Sequence, residues 1–196
     1  MEDGLAETSV AAAPVSRPAG GLPASVAGHL AAIAVAITGG VLGIPGAIIQ
    51  ELQAGGFILL PIIGAPIIEE AAKPLGVYIL LLKWPGLLKG RLHTALLAGL
   101  AGLTFGLIEA FAYVTLYAAD PPAWFVTYRF TAPLALHTAA SFIFGLGLTR
   151  GLLDWANGEA PLSTSTRNLF FVAVAMHAIF NTVALVLGFT GVFGLD

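Results

Sequence analysis

Glu69, Glu70, Glu109, His137 and His177 stand near the middles of long apolar stretches, with Asn181 one helical turn beyond the last of them. An ionisable side chain at the centre of a bilayer costs roughly 2.5–3.5 kcal/mol on insertion scales, so groups of this kind in such places point to function. Paired acids, imidazoles and an amide are the parts needed to hydrolyse an amide bond. A carboxylate takes a proton from water, an imidazole or amide donor stabilises the oxyanion, and a neighbouring cation keeps one carboxylate ionised. That cation is present. At about 100° per residue Lys73 projects between Glu69 and Glu70, so one ammonium serves two carboxylates on one helical face.

The elements that must position these groups follow from composition. The 196-residue chain is 58% hydrophobic and 10% charged, with a mean hydropathy of +0.92, which places it among integral membrane proteins. The absence of cysteine excludes disulfides, thiolate metal sites and a cysteine nucleophile. A net charge of −3 with scattered basic residues argues against a nucleic-acid partner. Residues 1–25, small and rich in Pro and Gly, read as a flexible tail. Residues 26–196 read as a single membrane-embedded, all-α bundle with about five main spans, at 26–49, 57–82, 92–118, 131–150 and 168–191. The first contains Gly39, Gly40, Gly43, Pro45 and Gly46, which admit a kinked or re-entrant path. A short interfacial helix fits within 119–130. Lys83, Lys89 and Arg91 follow the second span, and Arg150 and Arg167 flank the loop between the fourth and fifth. The positive-inside rule then predicts a multi-pass protein of the cell membrane with its N-terminus cytoplasmic and its C-terminus outside. Trp84, Trp124 and Trp155 fall at boundaries, as an aromatic belt requires.

Depth and phase turn scattered polar residues into one site. The midpoint of the second segment falls between Glu69 and Glu70, and that of the fifth between His177 and Asn181. Glu109 and His137 lie within about 6 Å of their own midpoints along a helix axis. Gly99, Gly102, Gly106, Glu109 and Tyr113 share one stripe, and small residues mark the face where membrane helices approach closely. Ala173, His177, Asn181, Ala184 and Gly188 repeat that pattern. His137 shares its side with Ala140 and Ser141 but also with Phe144 and Leu148. Pro66 and Pro74 lack amide donors and so free the carbonyls of Ile62 and Glu70, which predicts a wet cavity near Glu69 and Glu70.

Four runs carry a resemblance. Glu69-Glu70-Ala71-Ala72-Lys73-Pro74-Leu75-Gly76, Phe105-Gly106-Leu107-Ile108-Glu109, Arg129 through His137, and His177-Ala178-Ile179-Phe180-Asn181, in this order, resemble the PrsW family of intramembrane proteases over residues 57–190. That family is similar to the CAAX prenyl endopeptidases and to the APH subunit of γ-secretase. The resemblance implies an endopeptidase that cuts in or next to a transmembrane segment of a membrane-protein substrate, one of the anti-sigma-factor kind. It implies Glu69 or Glu70 as general base and His177 with Asn181 as the oxyanion-stabilising pair, beside the charge-balancing role that helical phase gives Lys73. Glu109 stands where the prenyl endopeptidases have histidine, and His137 is an additional imidazole. Glu70, Glu109, His137 and His177 therefore offer the N and O ligands that Zn2+ accepts, with Glu69 left as base. A zinc-assisted and a metal-free glutamate mechanism both remain open, since no helical His-Glu-x-x-His pattern is present.

Other readings of the same residues are a structural ion pair at Glu69, Glu70 and Lys73, a buried protonated Glu109, and interhelical hydrogen bonds at His137 and His177. The competing functions are a non-catalytic membrane scaffold like the APH subunit and a proton-coupled transporter. The lack of an internal repeat counts against the transporter.

Overall fold

The computed structural model describes residues 26–53, 59–117 and 120–189; the expected tail, 1–25, lies outside the described residues. Regular structure among them is entirely helical. Helix α1, Val26–Gln53, runs unbroken through Pro45. The glycines expected to break it are instead points of close approach. A Cβ at Gly39 would collide with the backbone of Gly76, and one at Gly40 with the Ala101 carbonyl, so their role is to let neighbouring backbones come near.

The second segment is broken as its prolines dictate. A π-helical turn at Leu60–Gly64 leads into α2, Ala65–Ala72, and after a turn at Lys73 and Pro74 the chain resumes as α3, Leu75–Lys83. In a π turn each carbonyl pairs with the amide five residues on, so Pro66, lacking an amide, orphans the carbonyl of Pro61 rather than that of Ile62. Asn181 supplies the missing donor, its Nδ2 lying 2.9 Å from that oxygen. At the second break the Tyr78 hydroxyl donates to the Ala71 carbonyl at 3.0 Å.

Helix α4, Arg91–Ala112, continues into a second π turn at Tyr113–Tyr117. The expected interfacial helix is α5, Ala123–Arg129. Helix α6, Ala132–Gly145, has 14 residues, about 21 Å, shorter than a hydrocarbon core of about 30 Å. Helix α7 spans Gly151–Ala156, and α8 spans Thr164–Phe189. The latter starts four residues before its apolar pattern because Ser163 caps it, its Oγ accepting the Thr166 amide at 3.1 Å. Among the described residues three helical stretches, Val26–Gly46, Arg91–Leu116 and Thr164–Gly188, are long and apolar enough to cross a membrane. Their outward faces expose Leu30, Ile37, Phe111 and Ile179 while Lys73, Glu70 and His137 are buried. That inside-out distribution is what a lipid environment favours.

Helix α4 packs most extensively on α6 and next on α1, and α8 packs on α6 and α2. Arg91 ties one end of the bundle, its Nε donating to the Leu146 carbonyl at 2.9 Å and its Nη2 to the Ser165 hydroxyl at 3.3 Å. The starts of α4 and α8 and the end of α6 therefore share one end. The stripe on α4 is the α6 interface: a Cβ at Gly102 would collide with the His137 carbonyl and the Ser141 side chain. Gly102→Val is accordingly expected to force α4 from α6, at about 1–3 kcal/mol or more for overpacking. Gly188→Ala, where an added Cβ meets nothing within 4 Å, is expected to leave the melting temperature in detergent unchanged. Equal melting of the two variants would contradict this interface.

Candidate active site

Lys73 is the hub of the buried cluster. It closes α2 just before the proline break, is fully buried, and rests 4.7 Å from the centroid of the Phe105 ring. Its Nζ donates to Glu70 Oε1 at 2.6 Å and to His137 Nδ1 at 2.7 Å, and lies 3.5 Å from Glu69 Oε2. The ammonium thus serves both carboxylates of its face, as the helical phase predicts, and also reaches across to α6.

The tautomers follow from these partners. An ammonium only donates, so His137 Nδ1 accepts; Nε2 then carries the proton and donates to Glu109 Oε2 at 2.6 Å. A carboxylate paired with Lys73 accepts, so His177 Nδ1 donates to Glu70 Oε1 at 2.8 Å. Glu70 and Glu109 therefore each accept a ring N–H and orient one imidazole, as carboxylates do behind metal-binding histidines. The two rings meet edge to face, with centroids 4.9 Å apart. Gly106 makes room for this, because a Cβ there would lie 3.1 Å from His137 Cδ2.

In the neutral ring His177 Nε2 is an acceptor, and it faces another acceptor, Glu69 Oε2, at 3.8 Å. Glu69 Oε2 is buried and has no hydrogen-bond partner. Two buried acceptors facing each other across that gap need a donor or a cation between them. With all three carboxylates ionised and both rings neutral, Lys73 and Arg129 leave the cluster one positive charge short, a charge that a proton or a cation would supply. Both features fit a metal ion, and ligand atoms of Glu69, His137 and His177 all lie within 4.8 Å of one another. The expected grouping of Glu70 and Glu109 with the two imidazoles, leaving Glu69 apart, is not the one the geometry makes. Glu70 Oε1 and Glu109 Oε2 hydrogen-bond the rings, and it is Glu69 whose oxygen lies within 4.8 Å of ring nitrogens of both histidines. Lys73 shares these donors, so an ion on His137 Nδ1 has to displace the ammonium towards Glu70.

A cavity of about 670 Å3 opens beside the cluster, between the first π turn, the end of α4, α5 and α8. Its walls are apolar, with Ile62, Ile108, Leu116 and Leu185 among them, and its polar groups include Glu69, Glu109, Arg129 and Asn181. Glu70, fully buried, does not line it. All six expected site residues thus lie at the cluster or at the cavity wall. Asn181, however, spends one amide hydrogen on the Pro61 carbonyl. Sequence reasoning gave no site role to Arg129, which lies 3.4 Å from Glu109 through Nη2 and 3.6 Å over the Tyr113 ring. Nor did it give one to Phe105 beneath Lys73. The available signal was Tyr113 in the stripe of Glu109, which directs that stripe to whatever packs over it.

Against known proteins, a family model described as PrsW family intramembrane metalloprotease matches residues 22–195. No curated protein and no solved structure matches significantly.

Proposed function

The chain belongs to the PrsW family of intramembrane metalloproteases, and we propose that it is an endopeptidase in which Glu69 activates the water that attacks a peptide bond of a membrane-embedded substrate. The observation that carries this reading is that Glu69, unlike Glu70, lines the large apolar cavity, with its buried Oε2 making no hydrogen bond and facing His177 Nε2 at 3.8 Å. A water between these two acceptors donates one hydrogen to each and so presents its lone pairs outward. Glu69 takes the proton as the water oxygen forms its bond to the substrate carbonyl carbon. Asn181 retains one amide hydrogen for the developing oxyanion. Glu70 and Glu109 fix the two rings, and Lys73 holds Glu70 ionised.

Zinc, held by Glu69, His137 and His177, would take the place of that water in the gap and would supply Lewis acidity that makes an attacking water more acidic, as the alternative to Glu69 acting as a free base. On this reading the purified protein holds about one zinc per chain, as catalytic sites do. His137→Ala and His177→Ala are each expected to lower that content at least tenfold by elemental analysis, with the helical signal retained. Unchanged zinc in both variants would remove these rings from the ligand set.

The substrate we propose is a single-span protein of the anti-sigma-factor type implied by the resemblance. The placement we propose is a single multi-pass unit in the cell membrane, N-terminus cytoplasmic and C-terminus outside. It is supported by the basic residues at 83–91 and 150–167, which gather at the end tied by Arg91. The test is reconstitution: purified protein alone in liposomes is expected to cut a single-span substrate once, and cleavage that needs an added partner protein would overturn the reading.

A further inference from the structure

Arg129 ends α5 and, among the described residues, is the cationic side chain lining the cavity. Its side chain is 12% exposed. Nε and Nη2 are buried and lack hydrogen-bond partners. The 3.4 Å approach of Nη2 to Glu109 balances the charge without using those hydrogens well, and the Tyr113 ring covers the guanidinium face at 3.6 Å. Buried donors left unmade are expensive, so this pair of N–H groups is set for an acceptor that arrives from the cavity. Because Glu109 already neutralises Arg129, a neutral acceptor suits the place better than an anion.

The neutral acceptors a membrane-protein substrate carries in quantity are main-chain carbonyls, yet in a transmembrane helix these are already bonded within the helix. Only a locally unwound stretch can offer one, and glycine and proline are what unwind such a helix. We propose that Arg129 is a substrate-binding residue that donates to a main-chain carbonyl of an extended segment, so that the substrates are membrane segments interrupted by Gly or Pro. This rests on the protease reading for its substrate, but its test is a binding measurement that does not need cleavage.

The Glu69→Gln protein, which holds substrate uncut, is titrated in detergent micelles with two fluorescently labelled single-span peptides, one carrying a central Gly-Pro pair and one all-Leu. Adding Arg129→Met is expected to weaken binding of the Gly-Pro peptide at least tenfold and to leave the all-Leu peptide unchanged. Arg129→Lys, which keeps a donor, should recover part of the loss. In the otherwise native protein Arg129→Met should raise KM at least tenfold with kcat within about threefold, since the interaction is made equally in ground and transition states. If Arg129→Met does not fold, Arg129→Gln and Arg129→Lys take its place, ranked by the donors they keep. Equal loss for both peptides, no loss for either, or a fall in kcat at constant KM would overturn the assignment. A native protein that binds in this pattern but never cuts would overturn the protease reading instead.

Discussion

Glu69→Gln is expected to lower cleavage by about 10²–10⁴-fold, the range for a positioned general base, while leaving the melting temperature within a few degrees of the native value. The side chains are isosteric. Glu69 Oε2 makes no hydrogen bond that the amide would forfeit, and its 3.5 Å approach to Lys73 is the longer of the ammonium's two carboxylate contacts, so the main loss is the ability to take a proton from water. Glu70→Gln is the informative contrast. Glu70 is fully buried between Lys73 Nζ at 2.6 Å and His177 Nδ1 at 2.8 Å, so neutralising it strands the ammonium and loosens the ring. That variant should lose both stability and activity, whereas Glu69→Gln loses activity alone. Cleavage kinetics and thermal melting on the same preparations separate the two. Comparable cleavage by Glu69→Gln and native protein would end the assignment of Glu69 as base.

Lys73→Met is expected to have the largest effect on stability, about 3–5 kcal/mol, the range for breaking a buried ion pair by removing one partner. Three contacts go at once: the pair with Glu70, the 3.5 Å approach to Glu69, and the donor on His137 Nδ1. Equilibrium unfolding in mixed micelles measures the loss. Removing both charges in Lys73→Met with Glu70→Met should cost less than the single change, because Glu70, the closest partner of the ammonium, is then not left without its counter-ion. The same substitution removes a positive charge from the donors assigned to zinc, so zinc should bind Lys73→Met more tightly than the native protein and restore part of its stability. A loss below 1 kcal/mol, with no gain in zinc affinity, would show that the ammonium is not the hub of the cluster.

Depth and helical phase were legible because they are properties of single helices. The sharing of Lys73 by two carboxylates and the inward face of α4 at Gly102 and Gly106 came directly from spacing. So did the placement of His177 and Asn181 on one inward stripe. The features that sequence did not yield are set between helices. The orphaned carbonyl expected at Ile62 is that of Pro61, since the π turn shifts the register by one residue. Which carboxylate joins the imidazoles and which ones orient them depends on how α2, α4, α6 and α8 are rotated against each other, and periodicity on one chain does not reveal that. Arg129 belongs to a short helix outside the spans, and neither its place there nor its place in the run Arg129 through His137 says what it faces until Tyr113 and Glu109 are seen against it. The glycines of α1 read as breaks for a related reason: without Gly76 and the Ala101 carbonyl in view, close packing and a kink look the same.

The central claim, that this buried cluster hydrolyses a peptide bond through Glu69, is tested most directly by mass spectrometry of a single-span substrate incubated with purified protein in liposomes made up in ¹⁸O-labelled water. The predicted result is a single cut whose new carboxyl group carries one ¹⁸O, and an intact substrate with Glu69→Gln. A substrate left whole by the native protein, or a labelled cut that persists in Glu69→Gln, would contradict it.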